Sequence, residues 1–265
     1  MQQKRLINAL KDEKLFSQVL KKRPVFFLDY DGTLTPIVSH PEDALLSDSM
    51  GSVLKELAKI SKVAIISGRD KKDVQKLVGL DELIYAGSHG FDISGPGGME
   101  MQNEKAKKFL FVLDEAEEEL KTKLSPLKGS QLERKKFSIA IHYRNAAEDV
   151  VPKIKSSVDE VHNQFPNLRK GFGKKVIELQ PDIEWHKGKA VLWLMDNLEL
   201  KRDEVLPFYI GDDVTDEDAF DVLQDIGIGI LVDDHGHGTK ANYLLHNVKE
   251  VEKFLEKVIQ KMNLK

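Results

Sequence analysis

"VFFLDYDGTLTP", residues 25–36, runs from apolar and aromatic side chains into two aspartates, Asp29 and Asp31, set one residue apart beside Gly32. A buried strand that delivers two like charges to its end needs something to offset their repulsion. The candidates are a divalent cation or a proton resident on one carboxyl group. Strand ends in open parallel sheets are also where ligands bind, because loops leaving the carboxyl edge enclose a crevice. Two local readings compete. "DG" forms Asx-turns, which by themselves account for an isolated DxDG. A calcium loop fails on spacing: counted from Asp29, the glycine position holds Leu34 and the final glutamate position holds His40.

A second apolar run, "VLPFYIGDDVTDEDAF", ends in the same way, with a glycine and then Asp212, Asp213 and Asp216. If both strands belong to one parallel sheet, their acids meet at one edge. Oxygen-only ligands with no thiolate or histidine triad select Mg²⁺, which takes one or two protein carboxylates beside water and phosphate oxygens. Thr215 or Asp216 would also cap the following helix, a role that leaves Asp212 unexplained. "IISGRD" offers the Ser67 hydroxyl, the amides around Gly68 and the Arg69 guanidinium at a strand-to-helix turn, a set suited to phosphate. "WHKGKAVLW" places Lys187 just before a helix, where an ammonium would face the same edge.

Around these pieces the chain alternates buried runs with helical spacing. A helix is predicted from Leu6 to Leu20, ending before Pro24. "LSDSMGSVLKELAKIS" is predicted as a helix capped by Ser47 or Asp48, "KVAIIS" and "LIYAG" as strands, and "KDVQKLVGL" as a helix. The pattern returns in "KAVLWLMDNL", "DEDAFDVL" and "IGIGILV". This is the signature of an α/β protein with a parallel sheet wrapped on both faces. Between the halves the rhythm changes. "EKAKKFLFVLDEAEEELKTKL" and "AAEDVVPKIKSSVDEVHNQF" are amphipathic helices, while "KKFSIAIHYR" and "KKVIELQP" alternate strictly, as in a small α+β domain with one open sheet face. "SGPGGMEMQNE" is a turn or linker near its start.

With 265 residues and 41% hydrophobic content the chain supports one large domain, or a core with a smaller partner. Forty Lys and Arg nearly balance 44 Asp and Glu, a net charge of −4, so no global field favours nucleic acid or an anionic membrane. The absence of cysteine excludes disulfides and a thiol nucleophile and fits a reducing compartment. No apolar run reaches the ~20 residues of a membrane helix, and charges interrupt the N-terminal segment before a signal sequence could form. Cytosolic placement is the expectation. "HGHG" at His235 to Gly238 lacks partners at zinc spacing and is read as a loop. "AGSHGF" and "GFGKK" fit neither a nucleophile elbow nor a Walker loop, and Trp185 and Trp193 are read as packing residues.

Taken in order, "DYDGT", "SGR", "KG" before a helix and "GDDVTDED" resemble the haloacid dehalogenase superfamily of phosphohydrolases. "YAGSHGFD", "LERKKFSIAIHYR", "KKVIELQP", "IEWHKGKA" and "YIGDDVTDEDAF" are similar, in order and spacing from about Pro24 to Val232, to segments of the trehalose-6-phosphate phosphatases. The resemblance implies a Rossmann-like core in two parts, 1–104 and 182–265, around a C2-type α+β cap at 105–181. It implies Mg²⁺-dependent hydrolysis of trehalose 6-phosphate through an aspartyl-phosphate, with no obligate protein partner. Asp29 is then the nucleophile and Asp31 the general acid and base, with Ser67 and Lys187 on the phosphoryl oxygens. Asp29, Asp212 and the Asp31 carbonyl hold the metal, and Asp213 or Asp216 orients the waters around it.

Parity in "KKFSIAIHYR" puts Lys136, Ser138, Ala140, His142 and Arg144 on one face, and Lys174 shares a face with Glu178. The resemblance points to Glu133, Lys135, Arg144, Lys174 and Glu178 as sugar contacts, with Arg69 beside the phosphate; Lys135 and Lys136 thus compete for one place. His89 reaches sugar or phosphate, or shapes a turn. His186 departs from the aspartate expected before "KGKA", which alters the setting of Lys187. The competing substrates are sucrose 6-phosphate and a glucosylglycerol phosphate, and a non-catalytic phosphosugar sensor is the competing class.

Overall fold

A computed structural model describes residues 6–38, 40–173, 175–233 and 238–264. Lys174 and the two histidines of "HGHG" lie outside the described residues. The first part of the chain contributes strands β1 (Ile7–Asn8), β2 (Arg23–Leu28), β3 (Lys62–Ile66), β4 (Ile84–Gly87), β5 (Asp92–Gly95) and β6 (Met99–Gln102). Its helices are α1 (Glu13–Val19), α2 (Asp48–Ile60) and α3 (Lys71–Val78). Next come α4 (Glu104–Lys107), α5 (Leu110–Leu124), β7 (Gln131–Lys135), β8 (Ser138–His142), α6 (Val151–Gln164), β9 (Leu168–Gly173) and β10 (Val176–Pro181). The last part supplies α7 (Lys187–Asn197), β11 (Val205–Gly211), α8 (Glu217–Leu223), β12 (Ile228–Val232), β13 (Tyr243–Leu245) and α9 (Val248–Asn263).

Two compact units result, one running to Glu100 and resuming at Trp185, the other spanning Met101–Glu184. In the first, nine strands form a sheet in the order β1-β13-β12-β11-β2-β3-β4-β5-β6. The ladder is parallel from β1 to β4, and β5 turns antiparallel. The fold is therefore α/β with a mainly parallel sheet.

The pleat decides which side chains reach the site. Phe26 stacks on Phe208 at 5.0 Å, on the face buried with α1, α2 and α9. Phe27 pairs in register with Tyr209 on the opposite face, where Tyr209 meets Phe220 of α8 edge-on at 5.7 Å. Asp29, two residues beyond Phe27, inherits that second face, and α7 lies there with α8.

The N-terminal segment differs from the predicted single helix. Ile7 and Asn8 pair with β13 at the sheet edge, and the helix starts only at Glu13 after the Asp12 cap. Amphipathic spacing covers a two-residue edge strand equally well, so periodicity alone could not separate the two. Phe16 of α1 packs on Phe254 of α9 at 5.6 Å, with the Lys257 ammonium 4.1 Å from the Phe16 ring.

The second unit carries its own sheet, β7-β8-β10-β9, antiparallel throughout. α5 and α6 bury Leu113, Leu120, Ile154 and Val158 against Ile139, Ile141, Ile177 and Leu179. "KKFSIAIHYR" is not one strand: β7 ends at Lys135, β8 begins at Ser138, and Lys136 with Phe137 makes the hairpin turn. Lys135 therefore faces Ser138 across the hairpin, and parity no longer transfers its place to Lys136, whose ammonium lies 5.3 Å from the Phe137 ring.

Candidate active site

β2 and β11 are neighbours at the centre of the sheet, with Leu28 opposite Ile210, so the residues that follow them emerge side by side. The Asp29 N–H donates to the Ile210 carbonyl at 2.9 Å. Ligand oxygens of Asp29, Asp212 and Asp216 lie within 4.8 Å of one another, and all three residues are buried. Two glycines permit this crowding. Gly32 holds φ +81°, and a Cβ there would overlap the Asp212 carboxylate. At Gly211 a Cβ would overlap the carboxylate of Asp216, which folds back beneath the strand end.

Lys187, the first residue of α7, reaches into the cluster with its side chain 4% exposed. Its Nζ lies 2.8 Å from Asp29 Oδ1 and 2.7 Å from Asp216 Oδ1. Burial would discharge this lysine, and the charges of Asp216 and Asp29 more than reverse that, raising it well above its ordinary range. Burial also pushes Asp29 upward; Lys187 opposes the push, while Asp216 and Asp212 add to it. Three buried carboxylates thus crowd around one ammonium. An all-oxygen donor set of this kind fits a hard divalent cation such as Mg²⁺. Asp216 is committed within the protein: Oδ1 also accepts from the Tyr209 hydroxyl at 2.6 Å, and Oδ2 accepts from the Asp213 N–H at 2.9 Å.

The other acids of the two motifs sit differently. The Asp213 carboxylate caps the short turn after β11, accepting from the Val214 N–H at 2.7 Å. Asp31 turns to Arg69, whose Nε and Nη2 donate to its two oxygens at 2.7 and 2.8 Å. Arg69 is held in place by Asp73 at 2.9 Å and the Pro41 carbonyl at 2.8 Å. Burial would lower this guanidinium, and the bonds to Asp31 and Asp73 raise it instead. Ser67 is buried at the end of β3, its hydroxyl accepting from the Arg69 N–H at 3.1 Å. His89 lies against the same loop: its N–H donates to the Ser67 carbonyl at 2.9 Å, and its ring borders Gly68. Ser88 and His89 hold φ +49° and +56°, a strained pair of left-handed residues. His186 occupies the N-cap position of α7 without a side-chain cap, its Nδ1 3.6 Å from an Asp218 oxygen. Trp185 packs on Phe91 at 6.5 Å.

In the second unit, Glu133, Lys135 and Glu178 share the sheet face away from α5 and α6. Lys135 Nζ lies 3.1 Å and Ser138 Oγ 2.6 Å from Glu178 Oε1, and His142 Nε2 lies 2.7 Å from Glu133 Oε2. Arg144 is exposed in the turn after β8. Sequence reasoning assigned no role to His142 and Ser138 beyond their shared face, and none to Tyr209. The bonds of the first two to Glu133 and Glu178 cross between strands and leave no local trace, and Tyr209 passes for an ordinary core aromatic.

The larger unit thus gathers acids at adjacent strand ends of a parallel sheet beside a lysine at a helix start, and the chain between its two parts forms a separate antiparallel sheet. A family model described as trehalose-phosphatase matches residues 27–252. "Probable trehalose-phosphate phosphatase G" of Arabidopsis thaliana is 42% identical over 92% of this chain and 71% of its own length. The trehalose-phosphate phosphatase of Mycobacterium tuberculosis H37Rv is 40% identical over 97% of this chain and 66% of its own length. Among solved structures, the C-terminal domain of the Candida albicans trehalose-6-phosphate phosphatase superposes with a TM-score of 0.84 at 26% identity, covering 96% of this chain and 99% of that one. The chain belongs to the trehalose-phosphatase family. No described helix is long and apolar enough to cross a membrane.

Proposed function

We propose that this chain hydrolyses trehalose 6-phosphate to trehalose and phosphate through an aspartyl-phosphate on Asp29, with Mg²⁺ as cofactor. The observation that carries this is the buried cluster of Asp29, Asp212 and Asp216 at the ends of β2 and β11, with Lys187 bridging two of them. Asp29 and Asp212 would hold the cation, which when bound offsets their repulsion and draws charge from the phosphoryl oxygens. Asp216, engaged by Lys187, Tyr209 and the Asp213 N–H, stands one step back as the anchor of the lysine. Asp213 is assigned to the cap of its turn and to waters beside it.

An Asp29 oxygen attacks phosphorus as the bond to the sugar oxygen breaks, and protonated Asp31 passes its proton to that oxygen. Water then attacks the phosphorus of the aspartyl-phosphate and gives a proton to Asp31, which frees phosphate and regenerates Asp29. Asp31 is held in a bidentate pair with Arg69, and reaching the sugar oxygen requires it to leave that pair. Lys187 keeps one N–H beyond those given to Asp29 and Asp216, and with Ser67 it stabilises charge on the phosphoryl group. His89 is assigned to the rim of the Ser67–Arg69 loop. Residues 105–181 are read as the cap, with Glu133, Lys135, Lys174 and Glu178 on the sugar hydroxyls and Arg144 at their edge. Paired acids and bases both accept and donate, which suits a disaccharide.

The test is phosphate release from trehalose 6-phosphate, sucrose 6-phosphate and a glucosylglycerol phosphate, with Mg²⁺ and with chelator. Trehalose 6-phosphate is expected to lead by about tenfold or more in kcat/KM, and chelator to abolish release. Equal rates across the panel would remove the substrate assignment, and full activity in chelator the metal.

A further inference from the structure

Tyr209 lies in β11, three residues before Asp212, with no exposed surface. Its ring is fixed edge-on against Phe220 at 5.7 Å, and its hydroxyl donates to Asp216 Oδ1 at 2.6 Å. The same oxygen receives Lys187 Nζ at 2.7 Å, while the other oxygen of Asp216 takes the Asp213 N–H at 2.9 Å. The carboxylate is thus oriented by donors from three directions, two of them converging on one atom. Burial pushes the Tyr209 phenol well above its ordinary range, so it remains a donor wherever the protein is folded. A phenylalanine would fill the same space against Phe220, so packing does not account for the hydroxyl.

We infer that Tyr209 is a positioning residue for Lys187: by sharing Asp216 Oδ1 it sets how far that carboxylate draws the ammonium, and so holds Nζ between Asp216 and Asp29. Without the hydroxyl, Oδ1 has Lys187 as its remaining donor among these contacts and pulls it away from Asp29 and the phosphoryl group. The cost falls on the transition state, where charge on the phosphoryl oxygens is greatest, and not on the sugar. The inference rests on the phosphatase reading and deepens it.

The experiment compares wild type with Tyr209→Phe in Mg²⁺, measuring kcat and KM on trehalose 6-phosphate and inhibition by orthovanadate and by trehalose. The variant is expected to lose about tenfold in kcat with KM within about twofold. Orthovanadate inhibition should weaken by a similar factor, and trehalose inhibition should not move. In a Lys187→Ala background, read by single turnover at high enzyme, adding Tyr209→Phe should cost nothing more, because both changes act on one element. A Tyr209→Phe enzyme with wild-type kcat, or a deficit that persists undiminished beside Lys187→Ala, overturns the inference. Wild-type protein that releases no phosphate from trehalose 6-phosphate overturns the phosphatase reading instead.

Discussion

The acidic centre of the larger unit and the polar sheet face of the smaller one are both built from carboxylates and bases, yet they differ in burial and in how the charges are grouped. At the centre the side chains of Asp29, Lys187 and Asp216 are 7%, 4% and 0% exposed, and three carboxylates crowd around one lysine. On the second face Lys135 and Glu178 are 12% and 14% exposed and Glu133 and His142 are 37% and 27% exposed, and each acid has one base beside it. A buried crowd of carboxylates is costly unless counter-charge arrives, so it suits a bound cation, which in turn can receive an anionic phosphoryl group. A more open face of acid–base pairs has no such demand. It offers donors and acceptors in pairs, which is what a neutral polyol can use.

The largest effect expected is from Asp29→Asn. Turnover should fall by about a thousandfold or more, since the amide is no nucleophile. The metal-free protein should meanwhile become more stable, because burial, Asp216 and Asp212 all work against the Asp29 charge. For a chain of this size each kcal/mol relieved moves the thermal midpoint by roughly 2–4 °C. Full phosphate release by this variant, or a lower midpoint in chelator, would break the contrast between a functional centre and a structural one.

Metal binding should sharpen it. Mg²⁺ at about a hundred times its dissociation constant adds ~2.7 kcal/mol, a rise of roughly 5–10 °C at 2–4 °C per kcal/mol. Asp212→Asn should abolish that rise and Glu178→Ala should leave it intact. Equal loss in both variants would mean that the two regions do not divide the work as drawn.

Glu178→Ala removes the acceptor shared by Lys135 and Ser138. KM for trehalose 6-phosphate should rise about tenfold with kcat nearly unchanged, the signature of lost uniform binding. A fall in kcat at constant KM would transfer Glu178 to the chemical step.

The same contrast governs what could be read before the fold was known. "DYDGT" and "GDDVTD" were legible because a run of buried apolar residues ending in acids is anomalous whatever surrounds it. Which acid turns inward was not: Asp213 and Asp216 are equivalent as letters, and only the turn after β11 commits one to a cap and the other to Lys187. Arg69 reads as a phosphate ligand in the sequence, and its bonds to Asp31 and Asp73, which the loop brings about, leave no trace there. On the second unit the alternation of "KKFSIAIHYR" continued through a hairpin turn, because Phe137 is apolar and buried as a strand residue would be. The two-residue strand at Ile7 depends on β13, more than two hundred residues away, and leaves no local trace.

The smallest effect belongs to the balanced face and is a dependence on pH. Burial would raise Glu133, but the bond from His142 and the charge of Lys135 outweigh it and hold the carboxyl below its ordinary value of 4.5. A depressed carboxyl binds its proton less tightly in the folded state than in the unfolded chain. Its contribution to stability is therefore present above about pH 4.5 and is lost as the pH falls through the lower, folded value. Because the side chain is more than a third exposed, solvent screening limits this to under about 1 kcal/mol, or at most a few degrees in the midpoint. Thermal midpoints of wild type and Glu133→Gln should differ by that amount at pH 7 and converge below pH 4.5. A gap that stays constant across this range would show that the fold does not favour the charged form of Glu133.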